Sequence, residues 1–145
     1  MASYKTWVKR TGKRKGYLKC GNGPEMEFGA PAGAHGRHGW MTPEDAFVAS
    51  VNTCIHMMFL WVADRLKLDL VDYECEAEGF VKQYLDKTEF FTHIVLKPVI
   101  TVRNDDGSKV RRALEITKKY SLMAASIKSE LIIEPQIIIE SAAST

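Results

Sequence analysis

The chain has 145 residues, 46% hydrophobic and 26% charged, with a net charge of +2, which suits one domain able to bury roughly two thirds of its unfolded surface. Its three cysteines, Cys20, Cys54 and Cys75, are odd in number and too widely spaced for a CxxC or zinc-knuckle pattern, which excludes a disulfide scaffold and a zinc ribbon. The N-terminus lacks the basic-then-apolar pattern of a secretory signal, so a cytoplasmic protein with free thiols is expected.

From Tyr4 to Phe28 short strands alternate with the glycine turns Gly12-Lys13-Arg14-Lys15-Gly16 and Gly21-Asn22-Gly23-Pro24, the pattern of a β-meander. Residues 1–20 carry seven Lys and Arg and no acid, whereas 69–78 carry Asp69, Asp72, Glu74, Glu76 and Glu78 and no base. With Tyr4, Trp7 and Tyr17 interleaved, the basic stretch has the make-up of a nucleic-acid surface, but the overall balance is far from that of such binders. A solvated hairpin face, lying near the acidic strand, and no nucleic-acid partner are expected.

Gly29 to Trp40 is a glycine- and alanine-rich loop containing His35, Arg37 and His38, of a length at which loops tend to be functional. Thr42-Pro43-Glu44-Asp45 starts a helix: Thr42 can cap, Pro43 suits the first helical position, and the acids face the positive end of the dipole. The helix is expected to reach about Leu68. Between Ala46 and Ala63 only Ser50, Asn52, Thr53 and His56 interrupt its apolar character. A helix without a polar face is buried all round or lies in a membrane. Its length is marginal for a bilayer, so a central helix wrapped by sheet, and by a second subunit, is expected instead, with no membrane partner.

Val71 to Glu78 alternates strictly, which places Val71, Tyr73, Cys75 and Ala77 inward. Phe90 to Val102 is a second strand with Ile94, Leu96, Ile100 and Val102 on one face and Pro98 marking an edge or bulge. Lys109 to about Lys119 has helical spacing through Val110, Ala113, Leu114 and Thr117, and a short helix is expected from Ser121. Leu131 to Ile139 closes as a strand that Pro135 demotes to an edge. The order is that of an α+β protein with antiparallel sheets, one domain over 1–145.

Cys54 lies mid-helix, with Phe47, Val51, Met58 and Trp61 on its side by helical spacing. In such company a cysteine is ordinarily an inert small hydrophobe. Reactivity requires a cation brought from elsewhere. Arg14, on its glycine turn, offers a permanent charge, and Glu44 is available to hold the planar guanidinium. In an unbroken helix, however, the ten residues from Glu44 to Cys54 rise about 15 Å. Both can touch one guanidinium only if the helix breaks, or if two subunits contribute.

Gly12-Lys13-Arg14-Lys15-Gly16, the strand end Glu27-Phe28-Gly29-Ala30-Pro31, Thr42-Pro43-Glu44-Asp45 and Cys54 ten residues after the glutamate resemble, in order and spacing, the OsmC/Ohr family of osmotically inducible and organic hydroperoxide resistance proteins. The resemblance implies a peroxidase that uses cysteine alone, without metal or cofactor. It places the peroxidatic thiol on Cys54, the activating arginine on Arg14 and the carboxylate that orients it on Glu44. It also implies an intertwined homodimer, helices central, with thiol sites at the subunit interface. The family usually carries a second, resolving cysteine at the start of the second C-terminal helix. Here that position holds Ser121, which can cap a helix but cannot form a disulfide. Oxidised Cys54 would then need an external thiol, or Cys20 or Cys75, to return to its reduced state.

The substrate expected is an organic hydroperoxide or hydrogen peroxide, with Phe47, Met58, Trp61 and His38 as pocket candidates. The alternative is a non-catalytic relative that binds a small apolar ligand at the dimer interface. His35, His38 and His56 with Cys54 would be the material of a zinc site, but His56 lies about 200° round the helix from Cys54, and no metal is expected.

Overall fold

The structure, a computed structural model, describes residues 1–34 and 36–141; His35 lies outside the described residues. The backbone divides into two compact units, residues 1–47 and residues 48 onward.

In the N-terminal unit the expected meander forms: β1 (Thr6–Gly12), β2 (Lys15–Cys20) and β3 (Glu25–Gly29) make an antiparallel sheet in that order. Val8 faces Leu18, which faces Met26. The basic face finds its acids on β3, where Lys15 lies 3.8 Å from Glu27 and Lys19 3.6 Å from Glu25. Such exposed pairs contribute little, but they set opposite charges on neighbouring strands. A bridge from Phe28 to Met41 and the hydrogen bond from Gly29 N–H to the Met41 carbonyl, 2.9 Å, close the loop that follows.

Helix α1 spans Pro43–Arg65. Its start is a reciprocal cap: Asp45 N–H donates to Thr42 Oγ1 at 3.0 Å, and Thr42 N–H donates to the Asp45 carboxylate at 3.4 Å. The helix ends three residues short of the expected Leu68. Lys67 adopts a φ of 55°, its N–H bonds to the Asp64 carbonyl at 3.1 Å, and Leu68 N–H bonds to the Ala63 carbonyl at 2.8 Å. This is a Schellman closure with lysine where glycine is usual.

The C-terminal unit is built on β4 (Asp69–Gln83) and β5 (Glu89–Arg103), an antiparallel pair, followed by α2 (Ser108–Tyr120), α3 (Leu122–Ser126), β6 (Glu130–Ile133) and β7 (Gln136–Ile139). β6 and β7 both run parallel to β5, so this sheet is mixed rather than purely antiparallel. The reason is the crossover through α2 and α3, which returns the chain to the sheet in the direction of β5.

Two expectations inside the sheet are corrected. Pro98 is not on an edge: it is buried in the central strand, in the gap between Leu96, the last residue paired with β6, and Val99, the first paired with β7. Pro135 falls in the same gap, dividing the expected closing strand into two short ones at the edge. Val71 does not point inward but is 37% exposed, because a register shift between Leu70 and Asp72 displaces it. Tyr73, Cys75 and Ala77 keep their inward alternation.

The core of this unit joins Phe59, Val62 and Ala63 of α1 to Ile100 and Val102 of β5 and to Val110, Ala113 and Leu114 of α2. α1 is long and apolar enough to cross a membrane by length and composition, yet Val51, Ile55 and Phe59 are fully buried. Burial within one chain covers that face only. Met57 and Trp61 are 65% and 53% exposed.

Candidate functional site

Cys54 is a free, partly exposed thiol midway along α1. The polar residues around it do not break the helix. Thr53 returns its hydroxyl to the Ala49 carbonyl at 2.8 Å, and Asn52 Nδ2 donates to the Cys75 carbonyl at 3.3 Å, tying α1 to β4. The helix therefore runs unbroken past Cys54, and the rise of about 15 Å between Glu44 and Cys54 stands.

The polar contact to the Cys54 sulfur comes from far along the chain: Ser121 Oγ lies 3.0 Å from Cys54 Sγ. Ser121 ends α2 and caps α3, as its sequence context predicts, and is completely buried. Its N–H donates to the Thr117 carbonyl at 2.9 Å, its carbonyl accepts from Ala125 N–H at 3.0 Å, and Oγ accepts from Ala124 N–H at 3.4 Å. The contact with the thiol was not foreseen from capping chemistry. The family resemblance, which sets Ser121 at the place of a second thiol, was the one signal for it.

In the N-terminal unit, Arg14 projects from the β1–β2 turn and Glu44 from the first turn of α1. Together they line a cleft of about 420 Å³ with Val8, Arg10, Phe28 and Pro31. Gly16 makes room for its floor, since a Cβ there would lie 2.6 Å from the Phe28 ring. Among the described residues the two side chains share the cleft without an ion pair; the cations of this unit that meet an acid are Lys15, on Glu27, and Lys19, on Glu25. A second cleft of about 380 Å³ holds the other side of Arg14 with Lys13, Arg37 and Trp40. Lys15 and Arg37 lie 5.0 and 5.4 Å from the Trp40 ring centre.

The four pocket candidates are not among the residues lining the Arg14 and Glu44 cleft. Met58 packs against the core of the C-terminal unit. Trp61 is open to solvent beneath the Arg65 guanidinium, 4.4 Å from its ring centre. His38 is exposed on its loop, and Phe47 is half-buried early in α1. Cys20 closes β2 in the other unit. Cys75 faces inward from β4, and burial pushes its thiol up from the ordinary 9.0. His56 stacks on Tyr73 with ring centres 4.5 Å apart. Among the described residues no three of His, Cys, Asp and Glu gather as metal ligands would.

A three-stranded meander, a long thiol-bearing helix and a mixed sheet closed by two short helices place the molecule in a defined class of α+β proteins. The chain belongs to the OsmC-like protein family, whose model matches residues 36–136.

Solved structures share the fold. An OsmC-like protein of unknown function from Vibrio cholerae O1 biovar eltor is similar with a TM-score of 0.85 at 18% identity, over 93% of this chain and 99% of that one. An organic hydroperoxide resistance protein from Elizabethkingia anophelis is similar with a TM-score of 0.76 at 16% identity, over 97% and 98%. Another, from Legionella pneumophila, has a TM-score of 0.71 at 17% identity, over 95% and 99%. At these identities the likeness is one of fold. No curated protein matches the sequence significantly.

Proposed function

We propose that the protein is a thiol-dependent peroxidase, acting as a single-domain subunit of a homodimer in a reducing compartment, with Cys54 as nucleophile, Arg14 as the activating cation and Glu44 as the carboxylate that orients it. The observation that carries this reading is the meeting of Arg14 and Glu44 at one cleft, in an OsmC-like chain whose helix α1 presents a partly exposed free thiol. The organic hydroperoxide resistance proteins among the structural relatives point to the same class of substrate. Because α1 is unbroken, the Arg14 and Glu44 of one subunit serve the thiol of the other. The apolar groups Met57 and Trp61, left open on α1, provide contact surface for that second subunit.

The chemistry balances as follows. The Cys54 thiolate attacks a peroxide oxygen; the S–O bond forms as the O–O bond breaks, and the sulfur gives up two electrons. The leaving alkoxide takes a proton and departs as an alcohol, or as water when the substrate is hydrogen peroxide. An external thiol then displaces water from the sulfenic acid to give a mixed disulfide. A second external thiol releases reduced Cys54 and leaves as the external disulfide. Arg14 matters at the first step, where negative charge passes from sulfur to the leaving oxygen.

The test treats the protein with one equivalent of cumene hydroperoxide in the presence of dimedone and reads the adduct by mass spectrometry. Cys54 is expected to carry the adduct, at a rate far above that of a free thiol. Arg14→Ala is expected to slow its formation by about a hundredfold, the range for loss of one electrostatic stabiliser. A Cys54→Ser variant that consumes hydroperoxide as fast as the parent would end the peroxidase reading and leave the non-catalytic, ligand-binding one.

A further inference from the structure

We propose that Ser121 is the hydrogen-bond donor that positions the Cys54 sulfur, and that its hydroxyl, standing where a second thiol would close a disulfide, keeps the site a one-thiol centre. The inference deepens the peroxidase reading and rests on it for its place in the reaction. The donor geometry does not.

The direction of the bond follows from what else Ser121 does. Its hydroxyl has one proton. The oxygen already accepts from Ala124 N–H, an amide that can act only as a donor. The proton is therefore free to point elsewhere, and Cys54 Sγ stands 3.0 Å away. Neither end of this contact is loose. Ser121 is held by its backbone bonds to Thr117 and Ala125 and is wholly buried, while Cys54 is fixed in the middle of α1 between the buried residues Val51 and Ile55. A hydrogen bond to an ionised partner contributes more than one between neutral groups, so the hydroxyl acts on the sulfur most strongly once it is ionised. Oxidation then meets a hydroxyl, which cannot be joined to sulfur in a disulfide. A thiol in its place would need about 1 Å of closure to reach the sulfur–sulfur bond length of about 2 Å, part of which the longer C–S bond supplies.

The experiment uses the full chain with Cys20→Ser and Cys75→Ser, so that Cys54 is the sole thiol, and compares Ser121→Ala, Ser121→Thr and Ser121→Cys. The probe is iodoacetamide, which reads the sulfur whether or not the protein reduces peroxides. Ser121→Ala is expected to slow alkylation of Cys54 about tenfold, the size of one hydrogen bond to a charged group, and Ser121→Thr, which keeps the hydroxyl, to restore the rate to within about threefold. A purely structural cap would behave in the opposite sense, because loosening α3 uncovers Cys54 and speeds alkylation.

Ser121→Cys treated with diamide, which takes up the two hydrogens, is expected to lose both free thiols within one chain and 2 Da in mass. After cumene hydroperoxide the same variant is expected to form that disulfide with release of water, and to give no dimedone adduct. Alkylation of Ser121→Ala at or above the parent rate would overturn the donor role. Two persisting free thiols in diamide-treated Ser121→Cys would overturn the one-thiol role. If the alkylation and diamide results hold while the parent ignores cumene hydroperoxide, the peroxidase reading falls and the Ser121 contact stands.

Discussion

Tyr73 shows how one side chain carries conflict inside an otherwise consistent strand. Its ring is well placed, stacked on His56 and 5.3 Å from Phe59, but among the described residues its buried hydroxyl makes no well-formed hydrogen bond and has only the Cys75 thiol beside it. Burial first, and the neighbouring Cys75 second, push its pKa up from 10.0. Cys75 is raised from 9.0, chiefly by burial as well. Both groups hold their protons more tightly when folded than when unfolded. That stability is present in full below about pH 9 and is lost as the pH rises through 9 and 10 toward the raised folded values. Tyr73→Phe removes the unsatisfied hydroxyl and is expected to stabilise the protein by about 1 kcal/mol at pH 7 and to make the alkaline decline shallower. Urea unfolding at pH 7, 9 and 10.5 measures both. A variant less stable than the parent, or one with an unchanged alkaline slope, would count against this account.

Among the elements, α1 is the one whose start is written most plainly. Thr42, Pro43 and Asp45 announce its start, and the structure builds the reciprocal cap those residues permit. Thr42→Ala should cost about 1 kcal/mol and lower the melting temperature by a few degrees, as calorimetry would record. A loss below about 0.3 kcal/mol would mean that tertiary packing, not the cap, holds the first turn. The far end was less legible because lysine replaces the glycine that usually signals a Schellman closure. Alternation in β4 was read correctly from Tyr73 onward and wrongly at Val71, since a bulge is set by the partner strand's register. Pro98, read as marking an edge or a bulge, marks neither, for a similar reason. Its tolerance in the central strand depends on a break between β6 and β7 some 35 residues later.

For the assembly, the exposed Met57 and Trp61 lie one helical turn apart, on the face of α1 that also leaves Ala49 and Thr53 open, opposite the buried Val51, Ile55 and Phe59. The homodimer proposed above predicts a sedimentation mass near twice 16.3 kDa at micromolar concentration. The double variant Met57→Glu, Trp61→Glu is expected to sediment as a monomer with its circular dichroism intact, and to lose peroxidase activity if thiol and arginine come from different subunits. A parent that sediments as a monomer at about 50 μM, a concentration at which micromolar contacts are largely formed, would remove the dimer and with it the shared site.

Composition, periodicity and capping residues were enough to establish an α+β chain, the order of its elements, the buried faces of β5 and α2, and free thiols instead of a disulfide framework. These properties are local: each depends on residues within a few turns or strand positions of one another. The odd cysteine count and the serine at residue 121 were also legible, though only as an absence. What that serine does depended on the fold, which brings it 3.0 Å from a sulfur 67 residues away in sequence. The parallel partners of β5, the bulge at Val71, and the meeting of Arg14 with Glu44 at one cleft were decided in the same way. Each brings together segments that chain spacing leaves free, and only packing selects among the arrangements that local signals allow.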